Sequence, residues 1–308
     1  MMETEKSQYA QVFCFGEILW DLLPGGAQPG GAPLNVAYHL NKLGINSSII
    51  SKVGDDLAGL ELLKLIRQWG ISDNLVQTDD EHATSEVLVK LNSNKEATYE
   101  ILYPVAWDFI TSKDDINQQL KTAGYLVYGS LSSRNKTTRE TLLTLLDNQL
   151  CNVLDINLRE PYVGKQNLQQ LLNKAHIVKF NEAELTRINQ LFASAQHTEL
   201  DKVHFVQDKF QIAEVLVTKG GDGASYYNQS DVYHAKGPKI TVNDTVGSGD
   251  AFLAAFVAGK LAGNAAQTNI SNAAAMGAFI ATKKGGCPDY SRTEFENFKN
   301  QIIPIKIT

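Results

Sequence analysis

The feature of this sequence that most constrains its fold is a regular alternation of short apolar runs with helical patterns. Runs rich in β-branched and aromatic residues, with the length of buried strands, occupy 11–16, 47–54, 124–130, 152–157, 176–181 and 213–220. Between them, apolar residues recur at three- and four-residue spacing over Ala32–Leu43, Asp56–Trp69, Thr137–Asn148 and Glu182–Leu191. This order predicts an α/β fold with a mostly parallel sheet and helices on both faces. Ligands of such sheets bind where the strands end.

One region interrupts the alternation with two strand-like runs, residues 84–91 and 97–103. The polar residues 92–95 between them predict an antiparallel hairpin. Its alternation places Val87 and every second residue after it on one face, which needs a surface to cover. We interpret the hairpin as a lid over the ligand cleft; an antiparallel edge of the main sheet is the alternative.

No repeat, low-complexity tract or clear linker divides the 308 residues, so a single domain is expected. Segments of approximately 17–31 and 84–108 would form the inserted lid. A homodimer that pairs through this lid is a further expectation, because the same apolar face could meet a second subunit.

Composition narrows the class of partner. The 28 Lys and Arg residues against 34 Asp and Glu residues give a net charge of −6, which disfavours nucleic acid and anionic membranes. No apolar run approaches the roughly 20 residues of a membrane span, and the first ten residues lack the order of a signal peptide. We therefore expect a cytoplasmic protein with a small-molecule partner. Cys14, Cys151 and Cys287 are widely spaced and are interpreted as structural thiols.

The most informative stretch is residues 243–252, which precede an apolar helical pattern. Gly247 and Gly249 lack the Cβ atoms that would keep a ligand away from the backbone. The start of the following helix offers unpaired N–H groups and the positive end of its dipole. The stretch therefore predicts an anion-binding site. Asp250 lies within it, and a simple capping carboxylate is the alternative interpretation.

The string D-T-x-G-x-G-D-A-F at 244–252 closely resembles the C-terminal signature of ribokinase-like (PfkB) carbohydrate kinases. The resemblance implies ATP as phosphate donor and Asp250 as the catalytic base that activates a sugar hydroxyl. It also implies that the backbone of Gly247, Ser248 and Gly249 holds the transferred phosphate. Ser248 departs from the commoner Ala, which a backbone-donated site tolerates.

Two further motifs imply the sugar-binding half of the site. Residues 30–35 resemble the family's G-G-x-x-x-N motif, although a tight turn with proline would read the same. Residues 155–159 match the D-x-N-x-R of fructokinase-like members, and 104–108 resemble their P-x-A-W-D segment. The sugar-binding residues implied are Asp21, Gly30, Gly31, Asn35, Trp107, Arg159 and Asp250. Arg159 could instead be a solvated charge, and Trp107 could belong to the core.

The motifs that imply the nucleotide-binding half of the site are weaker. Residues 181–184 resemble the N-x-x-E motif that organises Mg²⁺ and phosphate, which makes Asn181 and Glu184 candidate Mg²⁺ ligands, directly or through water. A capping asparagine with acidic neighbours is the competing explanation. Residues 218–223 resemble the family's T-x-G-x-x-G loop. The nucleotide-binding residues implied are Asn181, Thr218, Gly220, Gly223, Gly247, Asn272 and Gly277. K⁺ is a further cofactor that the resemblance allows near 285–287, and this stretch alone does not establish it.

The resemblance covers roughly residues 11 to 290, with the motifs in family order. It implies a sugar kinase, with fructose ahead of a related sugar or of a sugar acid such as 2-keto-3-deoxygluconate. A catalytically silent sugar sensor and a nicotinamide-dependent oxidoreductase are the other classes. The intact Asp250 argues against the sensor, and the absence of G-x-G-x-x-G after the first predicted strand argues against the oxidoreductase.

Overall fold

The computed structural model of the chain describes residues 12–23, 26–91, 97–121 and 124–302. The strands of this part, in chain order, are β1 (Val12–Phe15), β2 (Leu19–Leu23), β3 (Gly26–Gly30), β4 (Ser47–Gly54), β5 (Ser72–Asp79), β6 (Ser85–Leu91), β7 (Ala97–Ile101), β8 (Tyr125–Gly129), β9 (Cys151–Asp155), β10 (Ile177–Asn181), β11 (Glu214–Thr218), β12 (Ala224–Tyr227) and β13 (Val232–Ala235). Its α-helices are α1 (Ala32–Lys42), α2 (Leu57–Gln68), α3 (Asp114–Leu120), α4 (Lys136–Leu145), α5 (Lys165–Leu172), α6 (Glu182–Leu191), α7 (Glu199–Phe210), α8 (Ser248–Leu261), α9 (Ala266–Ala281) and α10 (Arg292–Ile302).

A nine-stranded sheet in the order β13-β12-β11-β10-β9-β8-β1-β4-β5 forms the centre of the molecule. All neighbouring pairs from β11 to β5 are parallel, whereas β12 and β13 are added antiparallel. The six predicted strand runs correspond to β1, β4, β8, β9, β10 and β11, which confirms the predicted fold class. The edge strand β5 was not predicted, because its polar sequence SDNLVQTD contains no apolar run.

Helices cover both faces of this sheet. Successive residues of β1 enter opposite cores: Val12 and Cys14 pack with α1, α2, α8, α9 and α10, whereas Phe13 and Phe15 pack with α3 to α7. A strand that is buried on both faces needs apolar residues at every position, which explains its continuous apolar sequence.

A second sheet has four strands in the order β3-β2-β6-β7. Two antiparallel hairpins, β2/β3 and β6/β7, meet through a parallel pairing of β2 with β6. The hairpin at 84–103 therefore does not extend the main sheet, so the edge alternative is wrong. Val87 is buried, as the predicted covered face requires. The predicted loop 92–95 lies outside the described residues.

The parallel strands bring the sequence motifs to one edge of the sheet. Asp155 and Asn181 are the last residues of β9 and β10, and Thr218 is the last residue of β11. Asp155 pairs in register with Lys179, and Asn181 pairs with Thr218. The first turn of α8 lies against this edge, because a Cβ added at Gly249 would come within 3.3 Å of Lys179 Nζ. No helix of the described residues is long and apolar enough to cross a membrane.

Candidate active site

The start of α8 has the geometry of an anion-binding loop. Gly247 occupies the N-cap position in the left-handed region, with φ 74°, and no side chain caps this helix. A Cβ at Gly247 would lie 2.5 Å from the Cα of Gly286, so the close approach of these two loops requires glycine. Because the first-turn N–H groups lack helical partners, this helix end can receive a phosphate.

Asp250 lies in that first turn, and its carboxylate does not cap the helix. Its Oδ2 instead accepts a hydrogen bond of 2.8 Å from Asn35 Nδ2 in the first turn of α1. Burial raises the pKa of Asp250 to about 6, and the charge of Asp155 adds to that rise. Lys179 opposes the rise most strongly. A carboxylate of this pKa is ionised at neutral pH and is a stronger base than an ordinary Asp.

A buried ion pair lies beneath the loop. Lys179 Nζ donates to both carboxylate oxygens of Asp155, at 2.9 Å and 2.7 Å. Burial alone would lower the pKa of Lys179, but the charges of Asp155 and Asp250 raise it overall. The sequence analysis did not identify Lys179, although a lysine inside the apolar run HIVKFN was an available signal, since charged residues are rarely buried without a partner.

Four of the predicted sugar-binding residues, Asp21, Gly30, Gly31 and Asn35, are linked to one another and, through the Asn35 amide, to Asp250. A Cβ at Gly30 would lie 2.3 Å from Asp21 Oδ2, which shows that the Asp21 carboxylate rests against this glycine. Gly31 has φ 106° and packs on the carbonyl of Glu17. Burial raises the pKa of Asp21 to about 6, and the charge of Arg159 counteracts this shift. The positive φ at Gly31 is the turn that starts α1 and carries Asn35 to the site.

Arg159 is exposed on the loop after β9. Its positive charge acts to lower the pKa of three carboxyl groups, those of Asp21, Asp250 and Glu17. The sequence analysis did not identify Glu17. This residue is 3% exposed, and its Oε2 accepts a hydrogen bond of 2.7 Å from Ser132. Burial raises the pKa of Glu17. The site therefore gathers several carboxyl groups around one exposed guanidinium.

Trp107 lies away from this cluster. Its side chain is fully buried in the core formed with α3 to α7, and the Arg134 guanidinium stacks 4.0 Å from its ring centroid. Arg134 also forms a fully buried ion pair of 2.7 Å with Asp108. The core interpretation of Trp107 is therefore the one that its position favours, and the ring presents no surface to a sugar in this arrangement.

Asn181 and Glu184 form a capping box at the start of α6. Asn181 Oδ1 accepts from the Glu184 N–H at 2.8 Å, and Glu184 Oε2 accepts from the Asn181 N–H at 2.8 Å. Glu184 Oε1 accepts from the Leu158 N–H at 3.0 Å. Among the described residues, no three His, Cys, Asp or Glu side chains come together as a metal site. Because backbone N–H groups already engage the carboxylate, the pair fits Mg²⁺ through water rather than as a closed ligand set.

A cavity of about 200 Å³ lies beside the glycine loop. Four predicted nucleotide-binding residues line it, namely Thr218, Gly220, Gly223 and Gly277, together with Ser248 and Gly249. Its remaining walls are largely apolar, with Ile240, Val242 and Phe252 among them. Asn272 is on α9 and is not part of the lining. An apolar cavity beside a helix end that can receive a phosphate suits a nucleotide, with the nucleobase in the cavity and the phosphates at the helix end.

Fold and site together define a class of protein: an α/β enzyme with a helix end that can receive a phosphate, a carboxylate in the first turn of that helix, and a largely apolar cavity beside it. Such an arrangement suits transfer of a phosphoryl group between a nucleotide and a hydroxyl compound. The family model "pfkB family carbohydrate kinase" matches residues 25–293. The chain belongs to this family and is an ATP-dependent sugar kinase.

Individual relatives agree with this assignment. A fructokinase of Escherichia coli is 29% identical over 267 residues, which cover 81% of this chain and 84% of the relative. The Vibrio cholerae fructokinase solved with fructose, ADP and calcium is 25% identical with a TM-score of 0.77, over 94% of this chain and 98% of that chain. A putative Escherichia coli ribokinase solved with ATP and Mg²⁺ has a TM-score of 0.80 at 22% identity, over 95% and 99% of the two chains, and shows the shared fold.

Proposed function

We propose that this sugar kinase transfers the γ-phosphate of ATP to a primary hydroxyl of fructose, with Asp250 as the general base. The observation that carries the proposal is the position of the Asp250 carboxylate. It lies in the first turn of α8, beside the glycine loop, and the Asn35 amide donates a hydrogen bond to it. A hydroxyl bound there would lie between a base and a phosphate site.

The chain's own groups supply the two requirements of the reaction. Asp250, with a pKa of about 6, accepts the proton of the attacking hydroxyl. The backbone of Gly247, Ser248 and Gly249 donates to the phosphoryl oxygens, where negative charge is greatest. Lys179, against Gly249, adds positive charge beneath this loop. Mg²⁺, when bound through water near Asn181 and Glu184, would neutralise phosphate charge.

The sugar would occupy the polar side. Asp21 accepts hydrogen bonds from hydroxyls and the Asn35 amide donates, while Gly30 and Gly31 let the Asp21 carboxylate and the Glu17 backbone approach closely. The nucleotide would occupy the apolar cavity bounded by Thr218, Gly220, Gly223 and Gly277. The fructokinase names of the relatives support fructose as the sugar.

A sugar acid such as 2-keto-3-deoxygluconate is the second candidate substrate. The exposed Arg159 guanidinium favours it, because a guanidinium can bind a carboxylate with two parallel hydrogen bonds. The same residue could serve fructose by donating to a sugar oxygen.

A substrate panel tests the proposal. The purified protein is incubated with ATP, Mg²⁺ and one of fructose, ribose, glucose or 2-keto-3-deoxygluconate, and ADP release is measured. We expect the highest kcat/KM for fructose, with ³¹P and ¹H NMR showing phosphate on a primary hydroxyl. A higher kcat/KM for the sugar acid would replace fructose by the second candidate, and sugar binding without ADP release would favour a sensor.

Finer expectations from the sequence stand as proposals as well. These are K⁺ activation, pairing of two copies through the sheet β3-β2-β6-β7, and a cytoplasmic location. Activity in K⁺ against Na⁺ buffers tests the first, and sedimentation of the protein with and without the tip of the β6/β7 hairpin tests the second.

A further inference from the structure

Cys287 is a residue that the proposed reaction leaves without a role, yet it lies in the site. Its Sγ donates to Asn35 Oδ1 at 3.2 Å, and the same amide donates through Nδ2 to Asp250 Oδ2 at 2.8 Å. Three segments far apart in the chain, α1, the start of α8 and the loop after α9, therefore meet in one hydrogen-bonded chain. The sequence interpretation of Cys287 as a merely structural thiol does not account for this contact.

We propose that Cys287 is a positioning residue for the base: its thiol fixes the orientation of the Asn35 amide, which in turn holds and tunes the Asp250 carboxylate. The inference rests on the proposed function of Asp250 and adds a residue that acts through another.

The two ends of the Asn35 amide differ in what they can bond. An asparagine presents an acceptor at one end and a donor at the other, and rotation by half a turn about its terminal bond exchanges them. With the observed orientation, Asn35 offers N–H to the Asp250 carboxylate. The opposite orientation would face the carboxylate with a carbonyl oxygen, which repels it. A donor at the far end of the amide stabilises the productive orientation.

Cys287 can act only as that donor. Burial raises the pKa of its thiol well above the usual value, and the neighbouring charges of Asp250 and Asp21 raise it further. The sulfur is therefore protonated over the range in which enzymes work, so it carries the S–H that Asn35 Oδ1 accepts. A thiol is a weak donor, so it gives the Asn35 amide a modest preference for the productive orientation.

The loop that carries Cys287 is itself held against α1. His39, fully buried, contacts the Gly286 carbonyl through Nε2 at 2.9 Å, and Tyr38 donates to the Pro288 carbonyl at 2.7 Å. Burial lowers the pKa of His39 to about 4, so the ring is neutral and Nε2 donates as a single tautomer. These contacts flank Cys287 on both sides and keep the thiol at the amide.

Other groups also face the Asp250 carboxylate and set its pKa. They come from every element around it: Glu17 after β1, Asp155 of β9, Arg159 of the following loop, Lys179 of β10 and Cys287 after α9. Apart from Cys287 itself, none of these groups is altered by removing the thiol, so a change in the pKa of Asp250 on substitution of Cys287 reports on the amide.

The test compares Cys287→Ala, which has no donor, with Cys287→Ser, which keeps one. Cys151→Ala is the matched control, because Cys151 begins β9 at the end opposite to Asp155. The dependence of kcat/KM for the sugar on pH is measured for each protein. In the wild type we expect activity to fall below pH 6, as Asp250 takes up a proton.

For Cys287→Ala we expect the acid limb of the kcat/KM profile to move to higher pH by roughly 0.5 to 1 pH unit. A shift of this size corresponds to the loss of one modest hydrogen bond. A shift of one unit would reduce kcat/KM about fivefold at pH 6 and by less than about 1.2-fold at pH 8. Cys287→Ser and Cys151→Ala should keep the wild-type profile. A purely structural role would instead lower activity evenly at all pH values.

The proposal is overturned if Cys287→Ala keeps the wild-type acid limb, or if Cys287→Ser shifts as far as Cys287→Ala. A readout without turnover separates this outcome from a failure of the proposed function. The Asp250 carboxyl is titrated by ¹³C NMR, and its resonance is identified by its loss in Asp250→Asn. If the wild type phosphorylates no sugar, the kinase proposal for fructose fails, while a higher pKa of Asp250 in Cys287→Ala still supports the positioning role.

Discussion

In the proposed mechanism, the reaction depends on how one carboxylate, that of Asp250, is kept both basic and ionised. Asp250 experiences burial and the charge of Asp155, which raise its pKa, together with Lys179 and the Asn35 hydrogen bond, which lower it. The resulting pKa of about 6 lies just below neutral pH. Such a group accepts a proton more readily than an ordinary Asp and is still mostly charged when substrate arrives.

Replacing Asp250 by Asn should therefore abolish most turnover while preserving the contacts of the site. We expect kcat to fall about 10²- to 10⁴-fold, the usual contribution of a general base, with ATP and sugar still bound in calorimetry. The measurement is steady-state turnover. A kcat within a few-fold of the wild type would contradict the assignment, because asparagine keeps the size of aspartate but not its basicity.

Arg159 should contribute to sugar binding and not to nucleotide binding. Loss of a charge-assisted hydrogen bond is worth about 1.5–3 kcal/mol, so Arg159→Ala should raise the sugar KM roughly 10- to 150-fold with the ATP KM nearly unchanged. Arg159→Lys is the control, since it keeps the charge that acts on Asp21 and Asp250 but loses the planar fork. A raised ATP KM with an unchanged sugar KM would show that Arg159 faces the nucleotide.

Among the elements, the sheet β3-β2-β6-β7 joins two segments that are distant in the chain. Strand β2 carries Asp21, which pairs in register with Val87 of β6. Thr84, just before β6, is tied to the main domain because its N–H donates to Asp56 Oδ2 at 2.8 Å and its hydroxyl accepts from Gly54 N–H at 2.9 Å. The base of the hairpin is thus anchored to the main domain.

This anchoring suggests a deletion that spares the core. Residues 88–100 are replaced by Asn-Gly, which closes a tight turn between the paired residues Val87 and Ile101. If the sheet covers the sugar, the sugar KM should rise and ATP hydrolysis without sugar should increase, because closure excludes water from the phosphoryl group. ADP release with and without fructose measures both effects. Unchanged coupling and KM would rule out a lid.

For the whole molecule, the site carboxyl groups make stability depend on pH. Folding raises the pKa of Asp250 from an ordinary value near 4 to about 6. A carboxyl group with a raised pKa stabilises the fold when protonated, and this contribution is lost as pH rises from about 4 to 6. At neutral pH, the ionised Asp250 therefore lowers the free energy of unfolding, as expected of a residue kept for activity rather than for stability.

Asp250→Asn should consequently raise the melting temperature at pH 7.5 and change it little at pH 4. Asp79→Asn provides a control of opposite sign: the Lys52 ion pair of 2.6 Å and amide donors hold the pKa of Asp79 below its usual value. Its removal should lower the melting temperature at neutral pH, with a smaller effect in acid. Circular dichroism melts across this range check both. A Tm for Asp250→Asn that is lower than the wild type at pH 7.5 would mean that the carboxylate stabilises the fold.

Local patterns in the sequence were sufficient for the main architecture. Apolar runs predicted β1, β4 and β8 to β11, because a strand buried on both faces must be apolar throughout. The glycines at 247 and 249 predicted an anion-binding loop for an equally local reason, and the structure places a helix start there. The sugar and nucleotide motifs required the family resemblance, since each has an ordinary structural explanation when read alone.

What only the tertiary structure decided is which side chains meet. Asn35 and Asp250 are 215 positions apart, and Asn35 and Cys287 are 252 apart, so no periodicity links them. Lys179 finds Asp155 through the parallel register of β9 and β10, and Trp107 enters the core under Arg134. Secondary structure depends on near neighbours along the chain, whereas the pKa of Asp250 depends on charges from separate strands and loops. For that reason the sequence could indicate the base, and only the fold shows what holds it in place.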